Sequence, residues 1–150
     1  MPLLFALLFT LSLHDQSVLT IPKVEATQKT WTPEEVRSLA TSVAKEYGLK
    51  TQKFIDTIQC ESNWDVYAEG DYLNNDGSYV TKKNAQEGAE PTSFGVAQWH
   101  PTAHADKTDP FYITKEQALD PVYSLNLMAK AWDENHANWW SCWHADAPLP

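Results

Sequence analysis

The spacing of apolar residues predicts a helix at the start of the folded part of the chain. Between Thr32 and Lys50 the apolar positions follow a helical period: Val36, Leu39, Ala40, Val43 and Tyr47. Thr32 is suited to cap this helix, Pro33 suits its first turn, and Glu35 completes a capping box. Gly48 ends the run. The pattern is typical of an amphipathic helix that packs on a core.

A second helix is predicted to begin near Thr51 and to end around Glu61 to Trp64, with an apolar face formed by Phe54, Ile55 and Ile58. Glu61 therefore lies on the last turn of a helix. At that end the helix dipole disfavours negative charge. We expect this position to favour the protonated carboxyl.

The helical period is lost from Asp65 to Pro91. An Asp76-Gly77 turn lies between two short apolar pairs and predicts a β-hairpin: Tyr72, Leu73, Tyr79 and Val80. The density of Asp and Asn also suggests a calcium loop. Counting back from Gly77, however, places Tyr72 at the first ligand position and Lys83 at the last, which excludes an EF-hand.

Helical patterning returns after a stretch, Pro91 to Asp109, that by itself is read as a loop. Thr114 and Gln117 form another capping box, and Asp120-Pro121 restarts a helix whose inner side is Val122, Leu125, Met128, Ala129 and Trp132. No internal repeat or linker is visible. We expect one mostly α domain with a single small hairpin.

The first residues predict an export signal. Residues 3–13 are apolar, too short to span a bilayer as a helix but suited to a signal-peptide core, and a "VEA" site follows at 24–26. We divide the chain into residues 1–26, a signal peptide or N-terminal anchor, and residues 27–150, the folded domain. The expected location is secreted or periplasmic, with membrane anchoring through residues 3–13 if the leader is not cleaved.

Charge and composition limit the kinds of molecule that the chain is expected to bind. The net charge is −9 with no cluster of Lys and Arg, which argues against nucleic acid. His100 and His104 have the i,i+4 spacing of metal ligands, but only Asp106 or Asp109 offers itself as a third ligand. We therefore predict no metal site and no cofactor, and we expect a monomer.

The chain has two cysteines, Cys60 and Cys142. An even number in an exported chain favours a disulfide. The alternative is a catalytic thiol at Cys60 with His100 or His104 as its base. A second cysteine and an oxidising compartment favour the bridge.

Glu61 is the strongest candidate for chemistry. Phe54, Ile58 and Trp64 lie close to it in sequence, and a carboxyl held at a helix end against apolar rings is how proteins build a general acid. Glycoside cleavage is the usual reaction of such an acid.

Four ordered motifs resemble the SLT-type lytic transglycosylase domain of the lysozyme superfamily: "CESNW", "SFGVAQWHPTAH", "ALDPVYSLNLMAKAW" and "WSCW". The resemblance covers roughly Thr32 to Trp143. Two departures are visible. Gly-Val-Ala-Gln stands where the family has Gly-Leu-Met-Gln. The family's Tyr-Asn-Ala-Gly segment is replaced by Trp139 to Trp143, so its tyrosine has no clear counterpart beyond Tyr112 or Tyr123.

The resemblance implies an α+β lysozyme-like fold with a cleft, and cleavage of the β-1,4 bond between N-acetylmuramic acid and N-acetylglucosamine in peptidoglycan. Glu61 would act as acid and then base while a 1,6-anhydro ring closes. The expected glycan-binding residues are Ser62, Trp64, Ser93, Phe94, Gly95, Gln98 and Trp99.

Individual roles follow from that resemblance. Ser62 would orient Glu61, or would bond the backbone of its own helix. Ser93 and Gln98 would hydrogen-bond sugars, Gly95 would let backbone approach them, and Trp64 and Trp99 would stack on sugar rings. Trp132 is expected in the core, and Trp139, Trp140 and Trp143 are expected around the disulfide.

Two alternatives remain open. A goose-type lysozyme would hydrolyse the same bond, with Asp65, Glu69 or Asp71 activating water. A non-catalytic glycan-binding module would explain the altered glutamine motif and the missing tyrosine.

Overall fold

The computed structural model describes residues 29–144, so the predicted leader and the last six residues lie outside the described part. The main elements in chain order are α1 (Pro33–Glu46), α2 (Thr51–Ser62), β1 (Glu69–Leu73), β2 (Tyr79–Val80), β3 (Glu90–Phe94), α3 (Lys115–Ala118) and α4 (Pro121–Asp133). Short 3-10 turns occupy Lys82–Asn84, Ala137–Trp139 and Ser141–His144. Within residues 29–144 no helix has the length and apolarity needed to cross a membrane.

The predicted helix starts are confirmed by their capping bonds. The Glu35 amide donates to the Thr32 hydroxyl at 3.2 Å, and the Thr32 amide donates to the Glu35 carboxylate at 2.9 Å. Thr114 and Gln117 form the same reciprocal box. These bonds satisfy amides that the first turn of a helix leaves unpaired.

The three long helices pack around one core. Its fully buried side chains include Val36, Ala40, Phe54, Ile58, Leu125 and Met128, which are the predicted inner faces of α1, α2 and α4. Trp132 meets Phe54 edge-on with ring centroids 5.0 Å apart. The prediction that Trp132 is a core residue is confirmed.

The sheet has one strand more than the sequence predicted. The predicted hairpin is present, with Tyr72 opposite Val80 and Leu73 opposite Tyr79. β3 pairs antiparallel with the other side of β1, which gives the order β2-β1-β3. The interpretation of this stretch as a loop was wrong, because Pro91 and three successive buried residues hide the alternation of a strand. The mostly α class with a small antiparallel sheet is confirmed.

A tight turn after β3 ties the sheet to the helices. Phe94 and Trp99 exchange two backbone hydrogen bonds of 2.9 and 3.1 Å around it. Gly95 begins the turn with φ of 76°, and a Cβ on this residue would collide with the backbone of Ala118. Gly95 is therefore required twice, by its backbone conformation and by the close approach of α3.

Replacing Gly95 tests this packing. Gly95→Ala should lower the free energy of unfolding by about 2 to 4 kcal/mol, since left-handed strain and overpacking add. Gly77→Ala is the matched control, because its φ is 82° but nothing lies within 4 Å of the added Cβ. That control should cost only about 1 kcal/mol. Equal losses in urea unfolding would contradict the close contact.

Candidate active site

Glu61 lies where α2 ends abruptly. The two residues after the helix, Asn63 and Trp64, have φ of 50° and 68°, both in the left-handed region. Asn63 is a residue type that tolerates this conformation and ends helices. The reversal turns Trp64 back into the core, where it is 8% exposed. Glu61 is left at the rim, half-buried, on a backbone that the helix holds firmly.

A disulfide between Cys60 and Cys142 covers this helix end, with the two Cα atoms 6.0 Å apart. The predicted bridge is confirmed. Both cysteines of the chain are used in it, so the alternative of a catalytic thiol at Cys60 is wrong. The bridge brings the Ser141–His144 turn beside Glu61.

The bridged segment donates hydrogen bonds to Glu61. The Cys142 amide donates to Oε1 of Glu61 at 2.9 Å, and the Ser141 hydroxyl donates to the same oxygen at 3.3 Å. Because both donors converge on Oε1, they fix the orientation of the carboxyl group. Oε2 is left as the oxygen that can carry a proton.

Burial raises the pKa of Glu61 above its ordinary value. The Cys142 amide and the Ser141 hydroxyl oppose this shift, because they stabilise the charged carboxylate. The charge of Asp71 raises the pKa further, and that of His100 lowers it. Desolvation is the largest effect, so Glu61 holds its proton at higher pH than an exposed glutamate does.

Asp71 and His100, whose charges act on the pKa of Glu61, form a pair with each other. Nε2 of His100 lies 3.0 Å from Oδ2 of Asp71. Asp71 has φ of 49° in the middle of β1, and Thr92 donates its hydroxyl to the Asp71 carbonyl. A left-handed residue inside a strand costs about 1 to 3 kcal/mol and is concentrated at functional sites. The strain places Asp71 where its charge acts on Glu61.

The other two acidic candidates have local roles. The Asp65 carboxylate accepts the Tyr67 amide at 2.8 Å, and Glu69 forms an ion pair with Lys115 at 3.8 Å. Of the three residues considered as activators of water, Asp71 is therefore the one that the fold brings to Glu61.

Ser93 and Gln98 bond to each other. Ser93 is 0% exposed and donates its hydroxyl to Oε1 of Gln98 at 2.7 Å. The Gln98 amide donates to the Gly95 carbonyl at 2.8 Å. A Cβ on Gly70 of β1 would collide with both polar groups of this pair. The Ser93 hydroxyl is therefore buried and used internally, and its contact with a sugar stays a prediction. The substrate role of Gln98, which is half-buried, stays a prediction.

Two neighbours in the motif are also structural. Gly95 approaches the backbone of Ala118 in α3. Its approach to a sugar stays a prediction. The Phe94 ring is buried, and its centroid lies 4.2 Å from the Lys115 ammonium. Its assignment to glycan binding stays a prediction.

The remaining predicted contacts are buried as well. The Ser62 hydroxyl donates to the Ile58 carbonyl at 3.2 Å, which is the second of its two predicted roles. Trp64 is packed in the core, and Trp99 is 2% exposed with its indole N–H donated to the Ser124 carbonyl at 3.0 Å. Both rings are buried in this structure, and their stacking on sugar rings stays a prediction.

The two histidines that have the spacing of metal ligands bond to different carboxylates. His100 pairs with Asp71, and His104 pairs with Asp109 at 2.9 Å. In residues 29–144 no three His, Cys, Asp or Glu side chains are grouped as a metal site.

Sequence reasoning missed Ser141 as a partner of Glu61. The signal was present: a bridge from Cys60 to Cys142 obliges the residues beside Cys142 to lie near the residue after Cys60. Asp71 and His100 lacked such a signal, because a strained strand residue and a turn after an unpredicted strand bring them together.

No protein family, curated protein or solved structure matches this chain in comparisons with known proteins.

The influence of Asp71 on Glu61 is directly measurable. Asp71→Asn should lower the pKa of Glu61, because it removes a negative charge that disfavours ionisation. Carboxyl NMR titration of the wild type and the variant measures this shift. Asp65→Asn, which removes the same charge from a locally bonded residue, should move the pKa less. An unchanged or higher pKa in Asp71→Asn would contradict the arrangement.

Proposed function

We propose that this chain is a lysozyme-like enzyme that cleaves the glycan strands of peptidoglycan, with Glu61 as the general acid. The observation that carries the proposal is a half-buried carboxyl at a helix end, with a raised pKa and one oxygen held by two donors. Protonating a glycosidic oxygen near neutral pH requires such a group.

The first candidate outcome is lytic transglycosylation. Glu61 gives the proton on Oε2 to the oxygen of the leaving sugar. As a carboxylate, it then takes the proton from the C6 hydroxyl of the muramoyl residue, which closes a 1,6-anhydro ring. The Cys142 amide and the Ser141 hydroxyl stabilise the carboxylate between these steps. This route needs no second carboxylate, because the nucleophile belongs to the substrate.

The second candidate outcome is hydrolysis, and the position of Asp71 favours it. An inverting hydrolase places a base opposite its acid, with carboxyl groups roughly 6.5 to 9.5 Å apart so that water fits between them. Asp71 is exposed, held by His100 and close enough for its charge to act on Glu61. It is the residue that would activate this water.

The disulfide bears on the compartment in which the protein would act. Such bridges persist in oxidising compartments, which agrees with a secreted or periplasmic monomer acting in the cell envelope. The substrate is then the peptidoglycan strand, and the proposed chemistry requires no cofactor.

Digestion of purified sacculi tests the proposal. Glu61→Gln should lower the cleavage rate by roughly 10² to 10⁴-fold, because the amide cannot donate the required proton. Glu46→Gln, at the exposed end of α1, is the control and should cleave at the wild-type rate. A Glu61→Gln variant that clears sacculi as fast as wild type would overturn the acid role. Intact sacculi that bind the wild-type protein would indicate a non-catalytic glycan-binding module.

Mass spectrometry of the same digests separates the two outcomes. Anhydro-muramic ends identify the transglycosylase, and in that case Asp71→Asn should retain most of the activity. Reducing muramic ends identify the hydrolase, and then Asp71→Asn should lose activity nearly as completely as Glu61→Gln.

A further inference from the structure

An aromatic cavity of about 300 Å³ lies beside the Asp71–His100 pair, between the turn after β3 and the 3-10 turn Ala137–Trp139. Its main lining residues are Gln98, Trp99, His100, His104, Trp139 and Trp140. Of these residues, only His100 has a part in the proposed catalysis at Glu61. The cavity is therefore a feature of the molecule that the acid at Glu61 does not explain.

Trp139 is the unusual member of this group, because it is 44% exposed while Trp99 and Trp140 are buried. His136 stacks on it with centroids 4.3 Å apart, and Phe111 meets it edge-on at 5.2 Å. His136 does not line the cavity, so it supports the indole from outside. An exposed indole that is held rigidly presents apolar area at little entropic cost on binding.

Two histidines that line the same cavity as this indole have ring nitrogens that can bond a ligand. His104 uses Nδ1 to bond Asp109, which leaves Nε2 for a ligand. His100 uses Nε2 to bond Asp71, which leaves Nδ1. An apolar platform with a few polar atoms around it is typical of a small-molecule site. The cavity volume is at the lower end of the range for such sites, which favours one ring-sized group.

We propose that this cavity is a subsite that binds one N-acetylhexosamine ring of a glycan strand against Trp139. The inference rests on the proposed function, since the occupant is a sugar of the strand that Glu61 cleaves. A pyranose has an apolar face for the indole and hydroxyl and amide groups for the histidines. His100 lines the cavity and bonds Asp71, so the cavity borders the pair of residues whose charges act on Glu61.

Charge argues for the same occupant. The chain carries a net charge of −9, and Asp71 and Asp109 lie behind the two histidines. An anionic ligand is repelled by this surface, whereas a neutral sugar is not. Trp139 also lies in the segment where the chain departs from the transglycosylase pattern.

Binding of chitotetraose, a β-1,4 oligomer of N-acetylglucosamine, tests the subsite. Calorimetry is done on Glu61→Gln protein, so that no bond is cleaved. Adding Trp139→Ala should weaken binding about tenfold or more, in line with the loss of a central tryptophan contact. Trp139→Phe should retain most of the affinity. Tyr67→Ala removes an exposed aromatic residue that lines a different cavity and should leave the affinity unchanged.

Equal affinities in Trp139→Ala and its parent would overturn the subsite, as would no binding by the parent. If Trp139→Ala does not fold, the indole N–H signal of Trp139 in the parent decides, because a bound sugar must shift it and an unmoved signal refutes the proposal.

Sacculus digestion separates this inference from the proposed function. If the wild type cleaves sacculi but sugar binding does not depend on Trp139, the subsite is refuted and the proposed function stands. Trp139-dependent binding without cleavage refutes the enzyme and leaves a glycan-binding site.

Discussion

The hydrogen bond from the Cys142 amide to Glu61, held in place by the adjacent Cys60–Cys142 bridge, is the contact on which the site depends. The bridge joins residues 82 positions apart, and in the chain-entropy description such a loop contributes about 4 kcal/mol. It also anchors the aromatic segment before it, where the Trp140 indole donates to the Ala97 carbonyl at 2.7 Å. One covalent link thus holds the segment that donates hydrogen bonds to Glu61 and that follows directly on the aromatic residues Trp139 and Trp140 of the cavity.

The same segment acts on Glu61 in two opposite ways. Covering the carboxyl removes water from it and raises its pKa, whereas the donated hydrogen bonds favour the charged form and lower the pKa. Desolvation prevails, so the pKa of Glu61 is raised and the residue keeps its proton to higher pH than an exposed glutamate does. The two donors stabilise Glu61 most strongly after it has lost its proton, because hydrogen bonds to a charged carboxylate are stronger than those to a neutral carboxyl. An acid that must later act as a base needs both effects.

Local signals predicted most of the fold, and non-local contacts account for what they missed. The capping boxes at Thr32 and Thr114 and the Asp76-Gly77 turn depend on residues within a few positions of each other. β3 is a strand because it pairs with β1, which its own composition does not indicate. The motif residues Ser93 and Gln98 were both predicted to contact sugars, and their bond to each other became visible only in the structure, where Gly70 of β1 approaches both side chains.

The pKa of Glu61 in a bridge-free protein tests the central claim most directly. Carboxyl NMR titration compares the wild type with the Cys60→Ser/Cys142→Ser double variant, with circular dichroism confirming that the helices remain. Once the bridge no longer holds the segment over Glu61, the pKa should fall to the ordinary value of an exposed glutamate, because burial is its largest cause. A pKa that stays equally raised in the folded double variant would show that the bridged segment does not create the acid.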